Sequence, residues 1–335
     1  MSQRLVIGLV GAGAIARDHA LVLSRQPAVT GLICYDADAG RAAELAAKFG
    51  ARVAATQDEL MRDADLVWIS TPPFVREEPI AAACAAGKPI FCEKPLGLDL
   101  ANVARISAMV AAAGVPFFMG QSGRYSYFFQ KMKALVAEGA IGAPRRVWSI
   151  RQGRLDPAKT VPWRLKNELS GGVVAELGVH ELDFIRWIGG DWLSVCATLG
   201  TTGLVPGYED TLDGIGKLAS GAQASVHLSW ADPRYLWQRG VEGETGSLFF
   251  DDSAIMDIVL QRPGKDPQIF KTGDWLDRQT GENLAFREQA IAVLGALLSG
   301  APPPVSLADG AAAARTAHAL RTAAHTGLPV PVPLG

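Results

Sequence analysis

The sequence predicts a doubly wound α/β domain followed by an α+β domain built on a large, mainly antiparallel, open-faced sheet. Three observations carry this reading. From residue 4 to about 122 an apolar strand, a loop and an Ala-rich helix recur, which is the pattern of βαβ units and a parallel sheet. The first strand runs directly into Gly11-Ala12-Gly13-Ala14-Ile15-Ala16, a glycine turn that opens a helix. After Gln121 the rhythm changes to alternating polar and apolar segments, the period of half-buried antiparallel strands. A Rossmann-type domain is therefore expected at 1–122, and an α+β domain for substrate binding and oligomerisation at 123–335, its last helices able to pack back on the first domain. Two domains also suit a chain of 335 residues, given roughly 100 to 200 residues per domain.

In the first half, strands are expected at Leu5–Val10, Val29–Tyr35, Leu66–Ser70, Ile90–Cys92 and Phe117–Met119. Helices near 14–25, 38–48, 76–86 and 99–113 carry apolar residues at helical spacing and end near Gly50, Gly87 or Gly114. In the second half a helix near 128–138 leads into strands at Arg146–Gln152, Val195–Leu199, Thr211–Leu218 and Gln223–Trp230, with a helix around 174–188 between them. Helices near 283–298 and 308–326 close the chain before a Pro-rich tail, Pro329 to Pro333. The two halves are expected to share a cleft.

Composition narrows the partners. A net charge of −2 lacks the clustered basic surface that nucleic acid or an anionic membrane calls for, which leaves a small molecule as the expected partner. Cys34, Cys84, Cys92 and Cys196 are scattered without metal-finger spacing, so reduced thiols in a cytoplasmic protein are expected and no metal. The apolar run from Leu5 to Ala16 imitates a short secretory signal, but its glycines stand at nucleotide-loop spacing and Arg17-Asp18-His19 follows at once. No stretch approaches the roughly 18 to 20 uninterrupted apolar residues of a membrane helix.

The glycine turn matches G-x-G-x-x-A in the strand-to-helix context that gives the pattern meaning. Gly11 permits the tight turn, Gly13 lets the backbone approach a pyrophosphate, and Ala16 allows close helix packing. Free N–H groups and the helix dipole would hold the phosphates near Ala14, Ile15 and Ala16. Asp36 ends the second strand at the distance expected for a carboxylate accepting from the adenosine ribose diol, and its charge would repel a 2′-phosphate. NAD is therefore expected, with NADP left open by Arg41, which either reaches a phosphate or pairs with Asp38 or Glu44. Thr71-Pro72-Pro73 follows the Leu66–Ser70 strand at its carboxyl end, where ligands of open α/β sheets bind.

Further along stand Gly87-Lys88-Pro89-Ile90-Phe91-Cys92-Glu93-Lys94-Pro95-Leu96, Trp163-Arg164, and Ser170-Gly171-Gly172 followed by Glu176 through His180 and Asp183. With the glycine turn and Thr71-Pro72-Pro73, in this order and spacing, the sequence resembles the glucose-fructose oxidoreductase, inositol dehydrogenase and rhizopine-catabolism (Gfo/Idh/MocA) family over nearly its whole length. The resemblance implies that Lys94 is the catalytic lysine, that the peptide before Pro95 is often cis, and that no metal takes part. It also implies a homo-oligomer, dimer or tetramer. Glu93 and Gln121 join the expected cofactor-binding set, as does Arg164. Two departures stand out: the family usually has aspartate at the position of Glu176, and three glycines where this chain has Gly171-Gly172.

The residues read physically in the same direction. A lysine just past a parallel strand can hydrogen-bond a substrate hydroxyl and stabilise a developing alkoxide. Glu176, His180 and Asp183 fall at i, i+4 and i+7, one face of a helix. Histidine titrates near neutrality and can take the hydroxyl proton as hydride leaves, with a carboxylate to orient its ring. His180 is thus the expected acid/base, supported by Glu176 or Asp183. Trp163, Arg164 and Arg124-Tyr125 are candidates to line the cleft, and Tyr235, Trp237 and Arg239 form an alternating set that packs in a core or faces it. Aromatic faces and guanidinium forks suit a polyhydroxylated ring or a carboxylated sugar. The expected reaction is reversible oxidation of a secondary alcohol on a sugar, cyclitol or sugar derivative. A non-catalytic sensing protein of the same fold is the first alternative, weakened by the presence of both Lys94 and His180, and redox-assisted glycoside cleavage is the second.

Overall fold

The computed structural model describes residues 4–252 and 255–334. Its chain divides into two compact units, Met1–Tyr125 with Trp275–Ala311, and Ser126–Asp274 with Ala312–Gly335.

The first unit holds six parallel strands, β1 Leu5–Val10, β2 Val29–Tyr35, β3 Arg52–Val53, β4 Leu66–Ile69, β5 Ile90–Glu93 and β6 Phe117–Gly120, in the order β3-β2-β1-β4-β5-β6. Helices α1 Ala14–Leu23, α2 Ala39–Phe49, α3 Gln57–Asp63, α4 Glu77–Ala85 and α5 Leu100–Ala113 make the crossovers. The inner strands are apolar on both faces because helices cover both, as a parallel sheet requires: β4, β5 and β6 are buried along their whole length. Local chemistry sets the helix ends. Asp38 caps α2 by accepting from Gly40 and Arg41 N–H, and Gly50 closes it in the left-handed region. The sequence reading passed over β3 and α3. Thr56 accepts from Glu59 N–H while Glu59 Oε2 accepts from Ala55 N–H, a near capping box that marks α3 despite its single-turn core contact.

The second unit is built on nine strands: β7 Pro144–Gln152, β8 Trp192–Gly200, β9 Thr211–Leu218, β10 Gln223–Ser229, β11 Leu236–Gly243, β12 Ser247–Asp251, β13 Ile255–Gln261, β14 Gln268–Phe270 and β15 Val330–Pro331. Their order is β14-β13-β12-β11-β7-β10-β9-β8-β15, and of these pairings β7 with β10 is parallel while the rest are antiparallel. The Pro-rich tail is thus an edge strand, a position where a proline costs no ladder bond. The alternating Tyr235, Trp237 and Arg239 fall on or beside β11, while β12 to β15 lay outside the sequence reading; turns and polar interruptions broke their alternation. Helices α6 Tyr127–Ala137, a short α7 Asn167–Ser170 and α8 Val179–Gly189 belong here, α9 Leu284–Ser299 lies in the first unit, and the unit boundary falls within α10 Leu307–Thr326. One face of the sheet packs its Val147, Ala224, Val226, Leu228, Val241 and Phe250 into a single core with α6 and α8. On the opposite face Ile215, Phe249 and Ile269 stay exposed. Among the described residues no helix is long and apolar enough to cross a membrane.

The single helix expected over 174–188 is two elements: a π turn, Val174–Gly178, and then α8. A π turn inserts one residue into the helical register. Gly178 brings this junction against β10, where a Cβ would stand 2.7 Å from Leu228 Cδ1.

Beneath α8 lies the most polar part of the core. Glu181, fully buried, accepts two bonds from Arg239, Nε at 2.7 Å and Nη2 at 3.0 Å, with Arg151 Nη1 at 3.1 Å and Ser149 Oγ at 2.5 Å. The Arg239 guanidinium stacks 3.9 Å from the Phe129 ring and 4.6 Å from that of Phe184. Burial alone would raise the Glu181 carboxyl, but the two guanidinium charges and the hydrogen bonds outweigh it and hold the group below the usual range.

Arg239→Met keeps bulk over Phe129 yet strips Glu181 of its bidentate partner, and we expect about 3 kcal/mol less stability in urea at pH 7. A folded pKa below the unfolded one contributes stability above the unfolded value, about 4.3, and loses it as pH falls through the folded value. The gap between wild type and variant should therefore narrow in that acid window. A gap that stays constant there contradicts the assignment.

Candidate active site

β1, β4 and β5 are neighbours in the parallel sheet, so their carboxyl ends set Gly11, the Thr71 turn and Lys94 along one edge. The order reverses between β1 and β4, the switch point where open α/β sheets take ligands. Gly11 has φ +94°, and a Cβ there would stand 3.1 Å from Ser70 C and Thr71 N, so only glycine serves. Gly13 is the N-cap of α1 and gives its helix no side-chain cap, and the first turn carries no acidic residue. Among the described residues, no atom beyond its chain neighbours and helix backbone lies within 4 Å of the position a Gly13 Cβ would take. The N–H groups of Ala14, Ile15 and Ala16 precede the first helical bond, Arg17 N–H to Gly13 O at 3.2 Å. This cradle suits an anionic pyrophosphate.

Asp36 lies just beyond β2. Its Oδ2 accepts from Ala12 N–H at 2.7 Å and its Oδ1 from Asp38 N–H at 2.8 Å, so the carboxylate is pinned beside the glycine turn. Each oxygen retains a second lone pair for a ribose hydroxyl. Arg41 pairs with Asp38 at 3.3 Å.

Lys94 follows β5, and the Lys94–Pro95 peptide is cis. Glu93, at 5% exposure, faces inward: its Oε1 is 2.7 Å from His19 Nε2 and its Oε2 accepts from Lys94 N–H at 3.0 Å. Arg76, 2% exposed, donates from Nη1 to Pro95 O and from Nη2 to Thr71 O at 2.6 Å. It thereby ties the Thr71-Pro72-Pro73 turn, which enters a 3₁₀ turn Pro73–Val75, to the lysine segment. The sequence reading missed both His19 and Arg76. His19 left a trace, since it interrupts the apolar stripe Ala16, Ala20, Leu23 on α1; Arg76 left none, because a guanidinium on a helix start reads as solvated. Gln121 is 2% exposed, its carbonyl accepting from Arg124 N–H at 3.1 Å. Arg124 Nη2 donates to Asp309 Oδ1 at 3.0 Å, and Tyr125 is buried.

In the second unit, Gly171 and Gly172 both take positive φ, 76° and 62°, and release the chain into the π turn. From 171 to 185 every residue is buried except Glu176 and His180, which are half-buried. Asp183, on the same helix as His180, is 3% exposed and so more deeply buried than either. Glu176 Oε1 accepts from Arg164 Nη2 at 2.5 Å, and Trp163 sits beside that arginine in the 3₁₀ turn Pro162–Leu165. Tyr208, unanticipated from sequence, is 1% exposed, and burial pushes its hydroxyl up to about 12, with the charges of Glu176 and Arg164 acting in opposite senses. The set Tyr235, Trp237 and Arg239 divides: Tyr235 is exposed, Trp237 packs against Phe129 and Phe250, and Arg239 is held by Glu181. Among the described residues no group of three or more His, Cys, Asp or Glu is placed to hold a metal ion.

Residues 5–121 match the model of an oxidoreductase family with an NAD-binding Rossmann fold, and 129–249 match the GFO/IDH/MocA C-terminal domain. Inositol 2-dehydrogenase 3 of Saccharopolyspora erythraea is 28% identical over 339 residues, covering 98% of this chain and 95% of that protein. The 1,5-anhydro-D-fructose reductase of Ensifer adhaerens is 30% identical over 247 residues, 72% of this chain and 74% of that one. In fold, the chain is similar to levoglucosan dehydrogenase solved with NADH and levoglucosan, with a TM-score of 0.90 at 22% identity, covering 99% of this chain and 100% of that one. The chain belongs to the Gfo/Idh/MocA family of NAD-binding oxidoreductases.

Proposed function

We propose that this oxidoreductase is an NAD-dependent dehydrogenase acting on a secondary hydroxyl of a sugar, cyclitol or sugar derivative. The observation that carries the reading is the placement of Lys94 on the sheet edge that also holds the uncapped start of α1 and the pinned Asp36. The relatives support the substrate class, since inositol, 1,5-anhydro-D-fructose and levoglucosan are all polyhydroxylated rings.

In this reading Gly11, Gly13, Ala14, Ile15 and Ala16 hold the pyrophosphate and Asp36 the adenosine ribose, while Thr71, Pro72, Pro73, Glu93, Lys94, Gln121 and Arg164 complete the cofactor's surroundings. When bound, NAD supplies the hydride acceptor. Lys94 donates to the substrate oxygen and stabilises negative charge as it develops. His180 takes the hydroxyl proton. Trp163, Arg124 and Asp183 complete the substrate contacts. Glu176 Oε1 is committed to Arg164, so orientation of the His180 ring or of a substrate hydroxyl falls to Oε2. The exposed Ile215, Phe249 and Ile269 on one sheet face support a homo-oligomer, dimer or tetramer, through that face. Four free cysteines support a reducing, cytoplasmic setting.

A panel of inositols, aldoses and sugar acids with NAD, followed by NADH absorbance, should identify a turned-over polyol. On that substrate His180→Ala and Lys94→Ala should each lower kcat by about 10² to 10⁴, with NADH affinity of His180→Ala within a few-fold of wild type by fluorescence. Near-normal rates in both variants overturn the assignment. Asp36→Ala should raise KM for NAD and erode the preference for NAD over NADP, measured as the ratio of kcat/KM; a wild type that already favours NADP refutes Asp36 as the determinant. Ile215→Lys should lower the sedimenting mass if that face is the interface.

A further inference from the structure

Glu93 is the residue through which the lysine segment is tied to α1. Both of its oxygens are engaged, by His19 Nε2 at 2.7 Å and by the Lys94 N–H at 3.0 Å, so the carboxylate cannot turn about its last torsion without losing one of them. A carboxylate only accepts, so His19 donates from Nε2. His19 is itself fixed. It is fully buried, with the rings of Trp68, Phe91 and Phe286 at 5.1, 5.4 and 5.0 Å between centroids. It stands on α1, the helix whose uncapped start forms the anion cradle, and 74 residues separate it from Glu93.

We propose that His19 is a positioning residue for Lys94, acting through Glu93. The inference rests on the reading of Lys94 as the group that polarises the substrate oxygen, and deepens it. The charged and titratable groups around Glu93 are His19 from α1, Arg76 ahead of α4, Lys94 itself, and Cys92, whose thiol burial pushes up to about 12 and so leaves neutral. Burial would raise the Glu93 carboxyl, yet the His19 hydrogen bond and the neighbouring charges, Lys94 and Arg76 among them, prevail and hold it down. An ionised carboxylate adjoining Lys94 in the chain favours the ammonium form of the lysine. One bond thus fixes the backbone of Lys94 and the adjoining charge sustains its role as donor.

The test reads Lys94 directly. In the full chain, competitive labelling with acetic anhydride across pH, quantified by peptide mass spectrometry, gives the ionisation midpoint of the Lys94 amine without any substrate. Glu93→Gln removes the charge and should lower that midpoint by about half a unit or more. His19→Asn, too short to reach, should shift it in the same direction, whereas His19→Gln, which can still donate, should restore it. The double variant His19→Asn/Glu93→Gln should shift no further than Glu93→Gln alone, because His19 acts through Glu93. On the polyol found in the panel, His19→Asn should lower kcat about tenfold or more with KM for NAD within twofold. An unchanged Lys94 midpoint in folded Glu93→Gln, or additive shifts in the double variant, overturns the proposal. Should His19→Asn not fold, His19→Phe, which keeps a ring among Trp68, Phe91 and Phe286 but cannot donate to Glu93, takes its place with the same expected shift. If the midpoints move as expected while Lys94→Ala retains turnover, the positioning stands and the reading of the reaction fails.

Discussion

A carboxylate removed from water must be met by donors, and this constraint governs both units of the chain. Glu93 and Glu181 are each buried, and each adjoins in sequence a residue proposed for the chemistry, Lys94 and His180. Leaving either carboxylate unpaired would cost several kcal/mol. The first unit answers with His19, the Lys94 amide and the nearby charge of Arg76; the second answers with Arg239, Arg151 and Ser149. Aromatic rings wall both networks: Trp68 stacks on Phe91 at 3.6 Å in one, and Phe129 lies under Arg239 in the other. Such networks add little net stability compared with an apolar core, but they admit few orientations. What they fix is the backbone beside them.

The sheet edge adds a second constraint. In a parallel sheet each strand must return through a crossover, so its carboxyl end is where the chain leaves for a helix and where loops gather. Gly11 makes a tight departure, pressed against Ser70 and Thr71 at the end of β4. Arg76 joins the next two, reaching Thr71 O and Pro95 O from one guanidinium. The planar fork suits an arginine to this place: two carbonyls from different loops, Thr71 O and Pro95 O, are reached by one rigid group without a second side chain.

Much of this was legible in the sequence wherever period and punctuation agreed. The strand-turn-helix at Gly11 to Ala16, five of the six strands of the first unit and the antiparallel character of the second followed from spacing, because those segments are buried on the faces their pattern implies. Local pattern failed where geometry is set from far away. His19 and Glu93 lie 74 residues apart and Arg239 and Glu181 lie 58 apart, so no window contains either bond. Alternation put Trp237 and Arg239 on one strand face and left core packing or the cleft open for them; packing decides which face the helices cover, and both turn to the core. The helix holding His180 was found, yet its π turn was not, since one inserted residue alters the phase without altering composition.

The departure at Glu176 gains a physical meaning from its partner. Its carboxylate meets Arg164 at 2.5 Å, and aspartate at the same backbone position would draw the oxygen back by about one C–C bond, roughly 1.5 Å, beyond hydrogen-bond reach. The glutamate and the Trp163-Arg164 turn are therefore to be read together, with the longer side chain required by the arginine. Pairing also changes what the arginine offers. A guanidinium already neutralised by a carboxylate exerts a much weaker pull on a second anion than a lone one does. Under the proposed function, if this pair faces the substrate, a neutral polyhydroxylated ring fits it better than a carboxylated sugar does. Its hydroxyls can share lone pairs and protons with an ion pair that need not be broken to receive them.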